Sequence, residues 1–220
     1  MSTATPLVIT VDGPAASGKG TLAKRIARHF GFPYLDTGLL YRATARRLLD
    51  AGQDPADPKA AAAAAHAVQP SDLERQDLRD EPVSAAAAVV ADHPGVRAAL
   101  LDFQRDFAAR PPGGAPGAVL DGRDIGTVVY PQAPIKFYVD AQVETRAQRR
   151  VKELQDRGVP AIPSRVLADM KVRDQRDKSR AVAPLKPAAD AKVLDTTRLD
   201  ADAVFDAALD FILSRGDVTA

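Results

Sequence analysis

Leu7-Val8-Ile9-Thr10-Val11-Asp12-Gly13-Pro14-Ala15-Ala16-Ser17-Gly18-Lys19-Gly20-Thr21 runs from β-branched apolar residues into a glycine-rich turn with one lysine and one late hydroxyl. Leu7–Val11 reads as a short buried strand. Beyond the turn, Leu22, Ile26 and Phe30 share one helical face, and Gly31 and Pro33 stop that helix. Strand, glycine-rich turn and helix in this order form the setting in which such a turn binds phosphate. Gly13, Gly18 and Gly20 let the backbone curl around Pro14, Ala15, Ala16 and Ser17, so that successive N–H groups point at phosphate oxygens. The start of the helix adds its positive dipole end, and Lys19 supplies a mobile cation for the β- and γ-phosphates. A turn that merely joins strand to helix is the plainer alternative.

Similar alternation continues along the chain. Tyr34-Leu35-Asp36 reads as a second strand, followed by a helix with Leu40, Thr44 and Leu48 four apart and Gly52 at its end. Lys59–Val68 reads as an alanine-rich helix, Gln69–Pro82 as polar and irregular, and Val83–Asp92 and Pro94–Arg110 as helical. The breaker cluster at Pro111–Gly117 precedes a strand at Ala118–Asp121. Ile135–Val139 is a further strand, and Val143–Arg157 a charged helix. Ser164 is expected to cap a helix running to about Arg180, with Val193–Asp195 and Ala203–Leu213 as a last strand and helix. Strands alternating with helices imply a parallel sheet covered on both faces.

Three more clusters fall at strand ends or on one helix face. Asp36-Thr37-Gly38-Leu39-Leu40-Tyr41-Arg42 starts at the end of the second strand, and strand ends of a parallel sheet gather at one rim. Tyr41 offers a flat surface and Arg42 a forked donor; a helix start with a surface arginine is an equal reading. Asp121-Gly122-Arg123-Asp124-Ile125-Gly126-Thr127 sets opposite charges side by side after another strand, with a loop salt bridge as the alternative. Arg173, Asp177 and Arg180 share a helical face. Such a run is ordinarily a solvated surface, but it also suits charge neutralisation of a migrating phosphoryl group.

Composition narrows the field. The 220 residues, 45% hydrophobic and 27% charged, suit one compact domain with an insertion, and the net charge of +1 supplies no global pull toward nucleic acid or anionic lipid. With no cysteine, disulfides, thiolate metal sites and a cysteine nucleophile are excluded. Leu7–Val11 is too short for a signal h-region or a membrane span, so a cytoplasmic location is expected. His29, His66 and His93 have no metal-ligand spacing. No basic strip studded with aromatics suggests a nucleic-acid platform.

Taken together, the phosphate loop, Asp36–Arg42, Asp121–Thr127 and Arg173…Asp177…Arg180-Ala181-Val182-Ala183-Pro184-Leu185 resemble the bacterial-type cytidylate kinases in order and spacing, over nearly the whole chain. Lys19-Gly20-Thr21 is likewise similar to the nucleoside monophosphate kinases rather than to GTPases. The resemblance implies an α/β P-loop three-layer fold with a five-stranded parallel sheet. Its core would be residues 1–52 and 117–220, with a small helical monophosphate-binding insertion at about 53–116 and a lid at about 146–180. It implies transfer of the ATP γ-phosphoryl group to CMP or dCMP with Mg²⁺, by a monomer. By motif position Lys19, Arg123 and Arg180 look catalytic, Arg42, Arg123 and Arg180 resemble an acceptor-phosphate clamp, and Arg173 and Asp177 resemble ribose contacts. Asp124 and Arg97 look like partners for the cytosine edge, with Thr37 and Tyr41 also on the acceptor side. Arg149 and Arg150, beside Arg146, resemble lid arginines for ATP, and the Thr21 hydroxyl the Mg²⁺ ligand.

Two features depart from the family pattern: the insertion is abbreviated around Gln69–Arg79, and Ala88 stands where relatives commonly carry a serine that bonds the base. Discrimination against uracil then rests more on Asp124 and Arg97. Adenylate, uridylate and shikimate kinases share the phosphate loop but are not expected to carry the later clusters in these forms. A GTPase switch would need an Asn-Lys-x-Asp segment, which is absent from the chain. A non-enzymatic ATP-binding protein would bind nucleotide and transfer nothing.

Overall fold

The computed structural model describes residues 5–215. Five strands, β1 (Leu7–Asp12), β2 (Tyr34–Asp36), β3 (Gly117–Gly122), β4 (Ile135–Asp140) and β5 (Lys192–Asp195), form one sheet in the order β2-β3-β1-β4-β5. β1 pairs in parallel with β3 and with β4, and β4 with β5. Eight α-helices connect them among the described residues: α1 (Lys19–Phe30), α2 (Thr37–Asp50), α3 (Pro58–His66), α4 (Glu81–Val90), α5 (Pro94–Ala109), α6 (Val143–Asp156), α7 (Pro163–Ser179) and α8 (Ala201–Ser214). The expected α/β architecture with a five-stranded parallel sheet is therefore present.

The chain divides into two compact units, one of Met1–Leu35 with Ala108–Ala220 and one of Asp36–Phe107. In the first, Ile9 and Val11 of β1, Val119 of β3 and Phe137 and Val139 of β4 pack against Leu22 and Ile26 of α1 and Val204 and Ile212 of α8. Val8, Thr10 and Asp12 point to the other side of β1 and are buried as well, so the central strand is covered on both faces. In the second unit, α2 buries Leu40, Ala43, Thr44 and Leu48 and packs on α3 and α4. That packing places α2 in the second unit.

Local structure departs from expectation at three places. The polar segment Gln69–Pro82 is not irregular throughout: two 3₁₀ turns, Pro70–Glu74 and Gln76–Arg79, lead into α4. Ser164 does not cap α7, whose N-cap is Ile162 without a side-chain bond; Pro163 begins the helix because its fixed φ suits the first turn. A short π-type turn at Ile125–Val129 follows the Asp121–Asp124 cluster where the sequence carries no helical period.

Candidate active site

Parallel pairing brings the carboxyl ends of the strands to one rim, where Asp12 stands beside Gly122 and Tyr138, and Asp140 beside Asp195. The loop after β1 leaves from the middle of that rim, as ligand-binding loops do in open parallel sheets. Gly13 is required by close approach: a Cβ there would lie 2.1 Å from the Val139 carbonyl oxygen. Ala16 and Gly18 adopt left-handed backbone at φ 58° and 92°, the curl that turns successive amides inward. Ser17 is buried, and its Oγ has no hydrogen-bond partner among the described residues. Buried donors without partners are rare, and an anion in the loop would satisfy this one.

Lys19 opens α1 and reaches back over the loop, its Nζ 3.4 Å from the Pro14 carbonyl oxygen. Thr21 lies exposed in the first helical turn. Gly20 plays a different part from the one its sequence suggests. It is helical, and a Cβ there would come 3.2 Å from Asp121 Oδ2, so the small residue admits a buried carboxylate and does not curl the backbone.

Past β3, Arg123 and Arg180 gather around Asp177, which is 3% exposed. Arg123 Nε donates to Asp177 Oδ2 at 3.1 Å, and Arg180 lies 2.9 Å from Asp177 Oδ1. Burial pushes the Asp177 carboxyl up, but the positive charges of Arg123, Arg180 and Arg173 outweigh it and hold the group below its ordinary value. Asp177 thereby holds a residue 54 positions away, and two guanidiniums lie together on one carboxylate.

The turn carrying Arg123 and Asp124 is pinned by Asp12, a residue without an assigned part in the sequence reading. Asp12 Oδ1 accepts from the Ile125 amide and Oδ2 from the Gly126 amide, each at 2.8 Å. Burial pushes the Asp12 carboxyl up to about 7 although both amides and Arg123 oppose the rise. A carboxylate at the end of a buried strand is a recognisable signal, but only the pairing of β1 with β3 shows which amides it meets.

The three arginines of α6 separate. Arg146 is buried; it donates from Nε to the Ala141 carbonyl at 2.8 Å, from NH1 to the Ala15 carbonyl at 3.3 Å, and pairs through both terminal nitrogens with Asp174 of α7. Arg149 stands at the loop, its NH1 4.0 Å from where a Gly18 Cβ would be. Arg150 pairs with Glu153 on its own helix at 2.8 Å. In the second unit, Arg97 lies 5.8 Å from the Tyr41 ring centroid. There Arg42 donates to the Leu78 carbonyl at 2.9 Å and to Ser84 Oγ at 2.6 Å. Thr37 is the buried first residue of α2, capped by Asp36, and Ala88 is half-buried on α4.

Strand, amide-lined loop and lysine-bearing helix, on a sheet with β1 at its centre, put the chain among the P-loop α/β phosphotransferases. A family model described as cytidylate kinase matches residues 9–214. The chain belongs to the cytidylate kinase family. It is 62% identical to the cytidylate kinase of Paramagnetospirillum magneticum over 94% of this chain and 98% of the relative. It is 60% identical to that of Granulibacter bethesdensis, over 90% and 93%. Among solved structures, TT1252 from Thermus thermophilus aligns with a TM-score of 0.52 at 23% identity, over 99% of this chain and all of the other. An uncharacterized protein from Eubacterium ventriosum aligns at 0.54 and 17%, over 94% and 98%. Likeness at these identities speaks for the fold alone. No helix among the described residues is long and apolar enough to cross a membrane.

Proposed function

We propose that the protein transfers the γ-phosphoryl group of ATP to CMP and dCMP, giving ADP with CDP or dCDP. The observation that carries this reading is the Arg123–Asp177–Arg180 cluster at the rim that also bears the phosphate loop. Family membership names the acceptor: the relatives at 62% and 60% identity are cytidylate kinases.

Transfer is direct and in line. Phosphoryl transfer needs positioning and charge stabilisation more than a covalent intermediate. The loop amides from Gly13 to Thr21 cradle the triphosphate, Lys19 neutralises its β- and γ-oxygens, and Arg149 adds a cation on the donor side. Arg150 is assigned there as well and would have to leave Glu153 to serve. Mg²⁺ is assigned to the exposed Thr21 hydroxyl and would supply charge neutralisation on the donor phosphates. Arg123 and Arg180 grip the acceptor phosphate, and both count as catalytic with Lys19. Arg173 and Asp177 are assigned to the ribose, and Asp124 and Arg97 to the cytosine edge. Thr37, Tyr41 and Arg42 complete the acceptor assignment within their own unit. A carboxylate at Asp124 suits the exocyclic amine of cytosine and would face an oxygen in uracil, left unpaired. Ala88 brings no hydroxyl to share that task. Action as a monomer is assigned by family resemblance. α6 and α7 are assigned to a lid that excludes water, since an open site would hydrolyse ATP.

A coupled ADP-release assay with ATP and a panel of CMP, dCMP, UMP, AMP and shikimate tests the reading. CMP and dCMP are expected to be turned over best. Preference for AMP or shikimate would overturn the acceptor assignment.

A further inference from the structure

Thr196 follows β5 in a stretch, Asp195-Thr196-Thr197, that carries no phosphate-binding pattern. We propose that Thr196 is a positioning residue for the phosphate donor, its hydroxyl tying Arg149 of α6 to the phosphate loop. The inference rests on the assignment of Arg149 to ATP.

The geometry is specific to a hydroxyl at this position. Thr196 is 3% exposed, and its backbone amide donates to the Asp140 carbonyl at 2.8 Å, which continues the β4–β5 ladder whatever the side chain. The hydroxyl has one proton and two acceptable carbonyls, Ser17 at 2.9 Å and Asp140 at 3.3 Å. The shorter contact takes the proton, so the Thr196 lone pairs face Arg149. Arg149 NH1 donates to that oxygen at 2.9 Å, and NH2 donates to the Thr196 carbonyl at 2.6 Å. One residue thus holds both terminal nitrogens of a side chain that would otherwise sample many rotamers. The same hydroxyl fixes the Ser17 carbonyl, one residue before Gly18, and the guanidinium stands over Gly18. Loop and cation are therefore registered to each other through a single oxygen. Valine has the same shape and can neither donate nor accept.

Thr196→Val is compared with the wild type in steady-state kinetics with ATP and CMP varied separately. The expected result is a KM for ATP raised about tenfold, the loss of one charge-assisted bond, with the KM for CMP within twofold. Thr196→Ser should restore the wild-type value. In a double-mutant cycle, Thr196→Val should raise the KM for ATP by a smaller factor on an Arg149→Met background than on wild type, what remains being the lost bond to the Ser17 carbonyl. Thr197→Val, which removes the contact of Thr197 Oγ1 with the Gln142 amide, controls for disturbance of the loop and should leave both KM values in place. Equal changes in both KM values, no change in either, or a serine variant as impaired as the valine would overturn the proposal. An Arg149→Met variant with an unaltered KM for ATP would remove the assignment beneath it, whereas impaired Arg149→Met with normal Thr196→Val removes the proposal alone. If Thr196→Val does not fold, Thr196→Ala against Thr196→Ser, read as ATP affinity by calorimetry, makes the same comparison.

Discussion

Arg180 carries the proposed catalytic role most directly at the scale of one residue. Its partner Asp177 is shared with Arg123, so two guanidiniums face one carboxylate. Removing Arg180 leaves Asp177 paired with Arg123, which limits the structural cost that an orphaned buried charge would carry. Arg180→Ala is therefore expected to lower kcat by about 10²–10³-fold, the usual effect of deleting one stabiliser of transition-state charge. Its unfolding free energy in urea should fall by less than about 2 kcal/mol. Turnover within a few-fold of wild type would remove Arg180 from the catalytic set.

Among the helices, α6 and α7 are joined by an ion pair whose role is mechanical. Arg146 and Asp174 are both largely buried, and two further donors of Arg146 go to the Ala141 and Ala15 carbonyls. The pair links α6 to α7, and Arg146 also reaches the Ala15 carbonyl of the phosphate loop. Arg146→Met would strand the Asp174 carboxylate, and breaking a buried pair from one side costs about 3–5 kcal/mol. Adding Asp174→Leu should recover a large part of that loss, since the uncompensated charge is then gone. Urea denaturation of the two single variants and the double measures this. Additive losses would mean that the helices do not depend on the pair.

For the molecule as a whole, Asp12 and Asp177 make stability depend on pH in opposite directions. The Asp12 carboxyl is raised from 3.8 to about 7 in the folded protein, so the native state holds a proton that the unfolded chain has lost. Its contribution is full below the unfolded value and is lost as pH rises through about 7, a fall on the order of 4 kcal/mol. Asp177 is lowered; its contribution is present above the unfolded value and disappears as pH falls through the folded one, on the acid side of the range. Measured in urea at pH 5, 6.5 and 8, the stability difference between wild type and Asp12→Asn should therefore move against the wild type as pH rises. A difference that stays flat would mean that Asp12 is not the group titrating.

Much of this protein follows from local sequence. Short apolar runs placed the strands and period-3.6 patterns the main helices, because a strand covered on both faces is apolar throughout while a helix records its one buried face in its spacing. The phosphate loop was legible for the same reason: amide curl, lysine and helix start are neighbours along the chain. What needed the tertiary structure is everything that joins distant positions. Asp12 meets the Ile125 and Gly126 amides only because β1 lies beside β3, and Thr196 meets Ser17 and Arg149 only because β4 and β5 end at the same rim. Gly20 looked like a loop glycine until Asp121 came across the sheet to stand against it. Spacing along a chain encodes which face a residue turns inward; which partner waits there is set by strand order, and strand order is a global solution to burying all those faces at once.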